Sequence, residues 1–347
     1  MNELFLPNLH QLGDDRGRGN MLGIAPYMIP QDYASKESFF QKLDGYLSAA
    51  QREKWLNEKT IVIFPEYIGT WLVLAGESEK IFQAASLNAA EQALVLRHPL
   101  KFSAYWLTSR ERGRAEAAFF RMKANQMAGI YQEVFSRLAR EYSVTIVAGS
   151  IILPSPKISN RRLNPTDGPL YNVSVIFQPD GAPHPYLVHK AFPTERELSF
   201  ITSTSANDIP SFDTPAGRLG VLICADSWYP QAYIPLKEQG IALLAVPSYS
   251  GYGVEKWNQP WPGYDGWPAP VDVDVQDIKN LTEAQAWRKY ALAGRIRSSG
   301  ATYGVHVFLR GKLWNLDLGG WSGTLVRDGD VLVEEQTQKA ALINLWL

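Results

Sequence analysis

Three residues of this 347-residue chain carry side chains that can perform one reaction together, and each follows an apolar run. Cys224 can attack an electrophilic carbon, while Glu66 can take up the thiol proton and later return it to a leaving amine. Lys190 can stabilise the negative charge that develops, with the backbone N–H of Ala225 as a second donor. Together these groups predict acyl transfer.

The elements that must position these residues are strands. The run 219–223 is unbroken and apolar, which is typical of a strand covered on both faces. Because the carboxyl ends of parallel strands lie at one edge of a sheet, we expect the three side chains to converge there. Asp226 or Ser227 can cap a helix after the cysteine, with Pro230 in its first turn. At the N-terminus of such a helix, the partial positive charge favours the thiolate form of Cys224.

Strand and helix patterns alternate along most of the chain, which predicts an α/β fold. Apolar runs predict strands at 21–25, 60–66, 143–152, 171–177, 185–190, 219–223, 241–247 and 305–309. Helical spacing predicts helices at 35–56 and 282–299 and a long helix through 120–138. A final hairpin is expected over 328–329.

Two segments interrupt this alternation. Residues from about 67 to 116 read as a helical insertion, and residues from about 248 to 281 form an aromatic-rich insertion. We therefore predict one domain, 1–347, with these two insertions. Five aromatic residues come shortly after three of the strand ends, and we expect them to line an apolar entrance to the site. They are Tyr67, Trp71, Trp228, Tyr249 and Trp257.

Composition and charge exclude several classes of protein. The chain is 46% hydrophobic and 20% charged with a formal net charge of −1, and its basic residues are scattered apart from the short cluster 110–114. We therefore expect no nucleic-acid partner. No run reaches the ~18 apolar residues of a membrane span, and residues 1–20 lack the apolar core of a signal peptide. A single cysteine excludes an internal disulfide and a Cys-rich metal site, and it agrees with a cytoplasmic protein.

The sequence around the three residues resembles the signatures of the nitrilase superfamily, the carbon–nitrogen hydrolases. The matching segments are Phe64-Pro65-Glu66, His189-Lys190 followed by Pro193-Thr194 and Glu197, and Ile223-Cys224-Ala225-Asp226 with Pro230. Both the order of these segments along the chain and the residues around them match the family signatures. Further similarity lies at Leu170-Tyr171-Asn172, at Val246-Pro247-Ser248, and in the helix that carries Arg295 and Arg297.

This resemblance implies a four-layer αββα sandwich and a Glu66-Lys190-Cys224 triad that uses no metal and no cofactor. It also implies a thioester at Cys224, a small-molecule amide or nitrile substrate, and a homodimer or higher homo-oligomer. Glu197 falls where many members carry a second glutamate that positions the lysine or the substrate. The tripeptide Cys224-Ala225-Asp226 is more similar to the amidase branches than to the Cys-Trp-Glu of nitrilases. The two insertions depart from the usual family pattern, and they are expected to form a lid or a subunit contact.

Other activities stay open at this stage. A nitrilase, a carbamoylase or an N-acyltransferase can use the same triad. A Cys-His hydrolase would instead use His189 or His306 as its base, but His189 precedes Lys190 in a strand and should point to the opposite face. A non-catalytic binding protein on the same fold is the alternative from another class.

Overall fold

The computed structural model describes residues 3–251, 253–327, 330–336 and 338–347. Its strands are β1 (Asn8–Leu12), β2 (Asn20–Ala25), β3 (Tyr27–Met28), β4 (Thr60–Ile63), β5 (Thr145–Val147), β6 (Ile151–Pro154), β7 (Lys157–Ser159), β8 (Arg162–Asn164), β9 (Leu170–Ser174), β10 (Ile176–Phe177), β11 (Val188–His189), β12 (Ser211–Thr214), β13 (Gly217–Val221), β14 (Leu243–Ser248), β15 (Tyr303–Phe308), β16 (Arg310–Leu313), β17 (Leu316–Leu318), β18 (Trp321–Arg327), β19 (Asp330–Gln336) and β20 (Ala341–Trp346). Its α-helices are α1 (Lys36–Arg52), α2 (Glu79–Phe82), α3 (Leu87–Arg97), α4 (Pro99–Thr108), α5 (Arg114–Tyr142), α6 (Pro230–Glu238), α7 (Val254–Trp257), α8 (Glu283–Tyr290) and α9 (Leu292–Arg295).

Two six-stranded sheets form the centre of the fold. The first has the strand order β1-β20-β2-β4-β5-β10, and the second has the order β12-β13-β14-β15-β18-β19. Parallel pairing joins β2, β4 and β5 in the first sheet and β13, β14 and β15 in the second. A separate three-stranded sheet, β11-β9-β6, is antiparallel throughout.

Successive residues of the buried strands face different layers, as the alternation of side chains along a strand requires. Leu22 and Val62 belong to the core formed with helices α1 and α5. Met21 and Ile61 belong to the other core, which also contains Val305 from the second sheet. Residues of α6 and α9 pack into that second core as well. The layers are therefore helix, sheet, sheet and helix.

Two predicted strands are each divided between two sheets. Residues 171–177 form β9, in the small antiparallel sheet, and β10, in the first six-stranded sheet. Residues 143–152 form β5 and β6, which belong to different sheets. The chain turns between them at Gly149, where φ is +63° and an added Cβ would lie 2.0 Å from the carbonyl oxygen of Pro65. Only glycine tolerates both this conformation and this approach to the residue before Glu66.

Two further expectations differ from the structure or lie outside it, and one strand was not expected. The helix predicted at 282–299 consists of α8, α9 and a final 3-10 turn. The N-terminal polar segment contains β1, which pairs in parallel with β20. The turn expected over 328–329 lies outside the described residues, although the flanking strands β18 and β19 do pair antiparallel.

The segment 67–116 contains the helices α2, α3 and α4. The buried carboxylate of Glu77 attaches it to α5 by an ion pair with Lys123, and Glu77 also pairs with Arg97 at 3.0 Å. The segment 248–281 is mostly irregular and contains the short helix α7. Within the described ranges, no helix is both long and apolar enough to cross a membrane. The division into one domain with two insertions stays a prediction.

Candidate active site

Glu66, Lys190 and Cys224 are delivered by three different sheets. Glu66 follows β4 of the first six-stranded sheet, and Cys224 follows β13 of the second. Lys190 follows β11, whose neighbour β9 runs antiparallel to it. The expectation that the three residues share the edge of one parallel sheet is therefore wrong. They meet because the two large sheets face each other with the small sheet beside them.

The ammonium group of Lys190 joins two buried carboxylates. Its Nζ lies 2.8 Å from Oε1 of Glu66 and 2.6 Å from Oε2 of Glu197. All three residues are at most 5% exposed. Such a buried arrangement persists only when its remaining polar atoms are also hydrogen-bonded.

Neighbouring residues supply those hydrogen bonds. The side-chain amide of Asn172 donates to Oε1 of Glu66 at 2.9 Å and to Oε1 of Glu197 at 3.3 Å. Tyr67 donates its hydroxyl to the same oxygen of Glu197. The backbone N–H of Thr194 donates to the other oxygen, Oε2, at 2.8 Å. The orientation of both carboxylates is thus fixed.

Cys224 begins a short 3-10 helix, Cys224–Trp228, and has a left-handed backbone conformation with φ of 50°. This conformation is uncommon for a residue other than glycine and costs about 1–3 kcal/mol. The thiol sulfur lies 3.7 Å from the carbonyl oxygen of Tyr249 and beside the Glu66 carboxylate. The thiol and the carboxyl group are close enough that each shifts the pKa of the other. The turn therefore presents the sulfur to the paired carboxylates.

The expected depression of the thiol pKa is contradicted. Burial, together with the negative charge of Glu66, raises the pKa of Cys224 above its ordinary value. The predicted α-helix begins at Pro230, too far along the chain for its N-terminus to act on the sulfur, and only the 3-10 turn starts at Cys224. The resting cysteine is therefore a neutral thiol that needs a base.

The pKa values of the other three groups suit that need. Burial raises the pKa of Glu66, with Lys190 opposing this shift and Glu197 adding to it. Burial alone would lower the pKa of Lys190, but Glu197 and Glu66 raise it well above its ordinary value. Burial acts against ionisation of Glu197, yet Lys190 and the hydrogen bonds of Tyr67 and Thr194 hold its pKa low. The lysine is charged, Glu197 is its permanent counter-ion, and Glu66 is the better proton acceptor.

A cavity of about 770 Å³ opens onto these groups. Its walls include Glu66, Lys190, Glu197, Cys224 and Ala225. Four of the five predicted entrance aromatics also line it. They are Tyr67, Trp71, Trp228 and Tyr249.

Comparison with known proteins identifies the family. The family model described as carbon-nitrogen hydrolase matches residues 23–264, more than half of the chain. The chain belongs to the carbon–nitrogen hydrolase family. The resemblance to the nitrilase superfamily is thereby confirmed.

Two nitrilases of Arabidopsis thaliana are similar to this carbon–nitrogen hydrolase in sequence. Nitrilase 2 is 29% identical over 145 residues, which is 41% of this chain and 38% of that protein. Nitrilase 3 is 28% identical over 149 residues, 42% of this chain and 38% of that protein. The chain thus matches about two fifths of the length of these curated relatives.

Solved structures share the fold of this family member at low sequence identity. An amidase from Nesterenkonia sp. has a TM-score of 0.56 and 12% identity, covering 95% of this chain and 90% of that one. A carbon-nitrogen hydrolase from Helicobacter pylori G27 has a TM-score of 0.55 and 15% identity, covering 94% and 88%. The predicted α/β sandwich of the nitrilase type is confirmed by these matches.

Trp257 does not line the cavity of this carbon–nitrogen hydrolase, contrary to expectation. Its ring is 1% exposed, stacks on Trp321 at a centroid distance of 5.1 Å, and donates its indole N–H to the carbonyl of Gly319 at 3.2 Å. Helix α7 turns the ring inward against β18, so Trp257 is a core residue. Eight further aromatic residues among those described line the cavity without having been predicted to do so: Phe119, Phe120, Phe200, Tyr229, Trp261, Tyr264, Trp287 and Trp314.

The two histidines considered as alternative bases lie outside the cavity walls. His189 packs edge-on against Tyr171. His306 is buried, pairs with the hydroxyl of Ser248 at 2.6 Å, and has its pKa lowered to about 3 by burial. Neither ring takes part in the hydrogen bonds that surround Lys190.

Sequence reasoning missed how Asn172 and Asp226 support the site. Asn172 bridges Glu66 and Glu197, and the signal for it in the sequence is an amide in the middle of a buried strand. Asp226 was read as a helix cap, but α6 has Tyr229 at its N-cap. The carboxylate of Asp226 instead accepts hydrogen bonds from backbone N–H groups of the Lys190 loop and of the cysteine turn.

Proposed function

We propose that this carbon–nitrogen hydrolase is an amidase-like cysteine hydrolase that cleaves a non-peptide C–N bond through a thioester at Cys224. One observation carries the proposal: the thiol of Cys224 lies beside a glutamate that shares one lysine with a second glutamate, in the wall of a cavity. Base, cation and nucleophile are the three groups that acyl transfer needs. The similarity of Cys224-Ala225-Asp226 to the amidase branches favours an amide over a nitrile.

The first half of the reaction forms the thioester. The sulfur of Cys224 attacks the amide carbon while its proton passes to Glu66, and the carbonyl π electrons move to the oxygen. Lys190 and the N–H of Ala225 stabilise this oxyanion. The oxyanion then reforms the carbonyl and expels the amine, which takes the proton from Glu66.

The second half hydrolyses the thioester. Water gives a proton to Glu66 as its oxygen attacks the thioester carbon. The resulting tetrahedral intermediate expels the sulfur, which regains the proton, and a carboxylic acid leaves. The cysteine, the glutamate and the lysine are then all in their starting states.

Proton transfer and oxyanion stabilisation are coupled by the charges around Lys190. In the resting site this ammonium faces two carboxylates, Glu66 and Glu197, at hydrogen-bonding distance. Protonation of Glu66 leaves Lys190 with a single counter-ion. Its positive charge becomes available to the substrate oxygen in the step in which that oxygen becomes negative.

The cavity defines the class of substrate. A volume of about 770 Å³ is far larger than a short aliphatic amide needs and falls within the range of sites for drug-sized ligands. Aromatic side chains dominate its walls, and the lining residues include six carboxylates but three cationic groups. We therefore propose an amide with a bulky apolar acyl group that carries no carboxylate of its own.

We further propose one domain in which both insertions serve as walls of the site. Ala90 and Leu94 from the first and Trp261 and Tyr264 from the second contact the cavity. A homodimer in the cytoplasm is proposed from the family resemblance. Multi-angle light scattering of the purified chain measures the oligomeric state, and a monomer at all concentrations would refute that part.

The decisive test is to trap the thioester. The chain has a single cysteine, so any acyl adduct on sulfur can be assigned to Cys224 without ambiguity. The protein is incubated with a panel of bulky amides and with the matching nitriles and esters, quenched in acid, and analysed by intact-mass and peptide mass spectrometry. We expect an acyl adduct on Cys224 with an amide.

The Cys224→Ser variant is the matched control, since it retains the shape of the turn. It should release no ammonia above background, and its circular dichroism spectrum should equal that of the wild type. Turnover without any adduct, or turnover by Cys224→Ala, would overturn the proposed mechanism. Adducts with nitriles alone would instead assign a nitrilase.

A further inference from the structure

Helix α4 carries apolar side chains on two opposite faces, and only one of these faces is packed against other residues in the described part of the chain. Phe102 packs on Phe119 of α5 with ring centroids 4.9 Å apart, and Tyr105 is half-buried beside it. Leu100 and Leu107 lie two turns apart on the outer face and are 88% and 69% exposed. The apolar face of a helix is normally covered by other elements.

The neighbouring residues extend this outer face. Leu96, at the end of α3, is 80% exposed. On the flank of α4, nearer to Phe102 than to Leu107, the indole ring of Trp106 is partly exposed with Arg114 placed 5.5 Å from its centre. Large exposed apolar side chains that cluster in this way mark an interaction surface. We call Leu96, Leu100, Trp106 and Leu107 the apolar patch.

Basic residues surround the apolar patch. Residues 96–114 contain five lysine or arginine residues and one acidic residue, in a chain whose net charge is −1. Of these basic residues, Arg97 is paired with Glu77. Lys101, Arg110, Arg112 and Arg114 are all exposed. The single acid, Glu111, is paired with Arg121 of α5, so it does not neutralise them.

We propose that the apolar patch and its basic border bind the surface of a membrane that contains anionic lipids. Leucine and tryptophan side chains that enter the interface while lysine and arginine contact the headgroups are the pattern of a helix lying in the membrane plane. This binding differs from spanning, for which none of the described helices is suited. Anionic headgroups are the complementary charge for the border.

A second copy of the chain fits this surface less well. In a twofold-symmetric contact the same patch meets itself, and the excess of basic residues would then face the same excess on the partner. An anionic lipid surface meets no such repulsion.

The location of the patch gives this binding a consequence for substrate entry. Helix α3 contributes Ala90 and Leu94 to the wall of the cavity, and Phe119 beneath α4 lines it as well. Helix α3, which ends at the apolar patch, therefore forms part of the cavity wall, and α4 packs on Phe119 outside that wall. Binding would bring that wall against the membrane, where apolar amides concentrate. The proposed binding itself does not depend on the proposed catalysis.

Sedimentation with lipid vesicles tests the proposal on the full chain. One set of vesicles is pure phosphatidylcholine, and the other contains about one third phosphatidylglycerol. We expect binding to the anionic vesicles that weakens as salt is added, because screening reduces the attraction of the basic border. The double variant Leu100→Glu/Leu107→Glu should bind at least about tenfold more weakly.

The matched control is Val271→Glu/Val275→Glu, which adds the same charge at two exposed valines outside the patch. It should bind as the wild type does, and all variants should keep the wild-type thermal unfolding temperature and turnover of a water-soluble amide. No binding by the wild type, or equal binding by Leu100→Glu/Leu107→Glu, refutes the proposal. A smaller oligomer for that variant in light scattering, without vesicle binding by the wild type, would assign the patch to contact between copies. If neither the wild type nor any variant hydrolyses the amide, the proposed catalysis is refuted and the proposed membrane binding is not affected.

Discussion

The replacement Glu66→Gln separates two roles that the carboxylate has in the proposed mechanism. It keeps the shape of the side chain, and the new amide oxygen can still accept from Lys190 and Asn172. It removes a base that receives the thiol proton and an acid that protonates the leaving amine. It also removes a negative charge from beside the sulfur of Cys224.

These losses act in opposite directions on two measurable rates. At the ordinary thiol pKa of 9.0, about one thiol in a hundred is ionised at pH 7, and burial and Glu66 reduce that fraction further. Without the negative charge of Glu66, Lys190 acts more strongly on the thiol, so the pKa of Cys224 should fall. Turnover should nevertheless drop by roughly 10²–10⁴, the contribution of a positioned general acid and base.

The assay therefore measures ammonia release and thiol alkylation on the same protein. Alkylation by iodoacetamide requires only the thiolate, so its pH midpoint should lie lower in Glu66→Gln than in the wild type. Amide hydrolysis should be reduced across the whole pH range. Turnover within tenfold of the wild type would remove Glu66 from the mechanism. An alkylation midpoint shifted to higher pH would contradict the electrostatic reasoning.

Three further predictions follow from the described contacts. His306→Gln should keep wild-type turnover. On acidification, the free energy of unfolding of this variant should fall less than that of the wild type. In the wild type, a pKa of about 3 for His306 in the folded state, against 6.5 in the unfolded chain, costs on the order of 4 kcal/mol of stability between pH 6.5 and pH 3. Urea unfolding at both pH values measures the difference. Trp71→Ala should raise KM for bulky amides with little loss of stability, whereas Trp257→Ala should leave KM unchanged and lower the free energy of unfolding by about 3–5 kcal/mol. Glu77→Ala should cost about 3 kcal/mol in denaturant unfolding because it leaves a buried lysine unpaired, and the exposed Glu79→Ala should cost almost nothing.

The sequence predicted the strands that lead to the site better than it predicted how they are arranged. The apolar run before Glu66 has the length and β-branched composition of a buried strand, and β4 occupies Thr60–Ile63. The division of residues 143–152 depends on a carbonyl of Pro65 that is distant in sequence, so local pattern could not reveal it. The sequence is equally uninformative about where an aromatic side chain points, because two tryptophans predicted to line the entrance behave differently. Trp71 faces the cavity, and Trp257 faces the core.

The pKa of the thiol was mispredicted for a related reason. A helix N-terminus after a strand suggests a stabilised thiolate when only local sequence is considered. The structure places the sulfur of Cys224 in a buried site beside the carboxylate of Glu66, which comes from another sheet. Desolvation and like charge then outweigh the dipole of a single 3-10 turn. Long-range packing therefore sets the protonation state of the nucleophile.

Asp226 explains how elements from separate sheets keep a common geometry. One carboxylate oxygen accepts from the backbone N–H groups of Ala191 and Phe192 at 3.0 and 2.8 Å, and the other accepts from Ile223 at 3.1 Å. The residue after Lys190 and the residue before Cys224 are thus held by one side chain that is fully buried. The left-handed conformation of Cys224 persists only if surrounding contacts hold it, and these hydrogen bonds supply such contacts. Asp226 therefore ties the loop that carries the cation to the turn that carries the nucleophile.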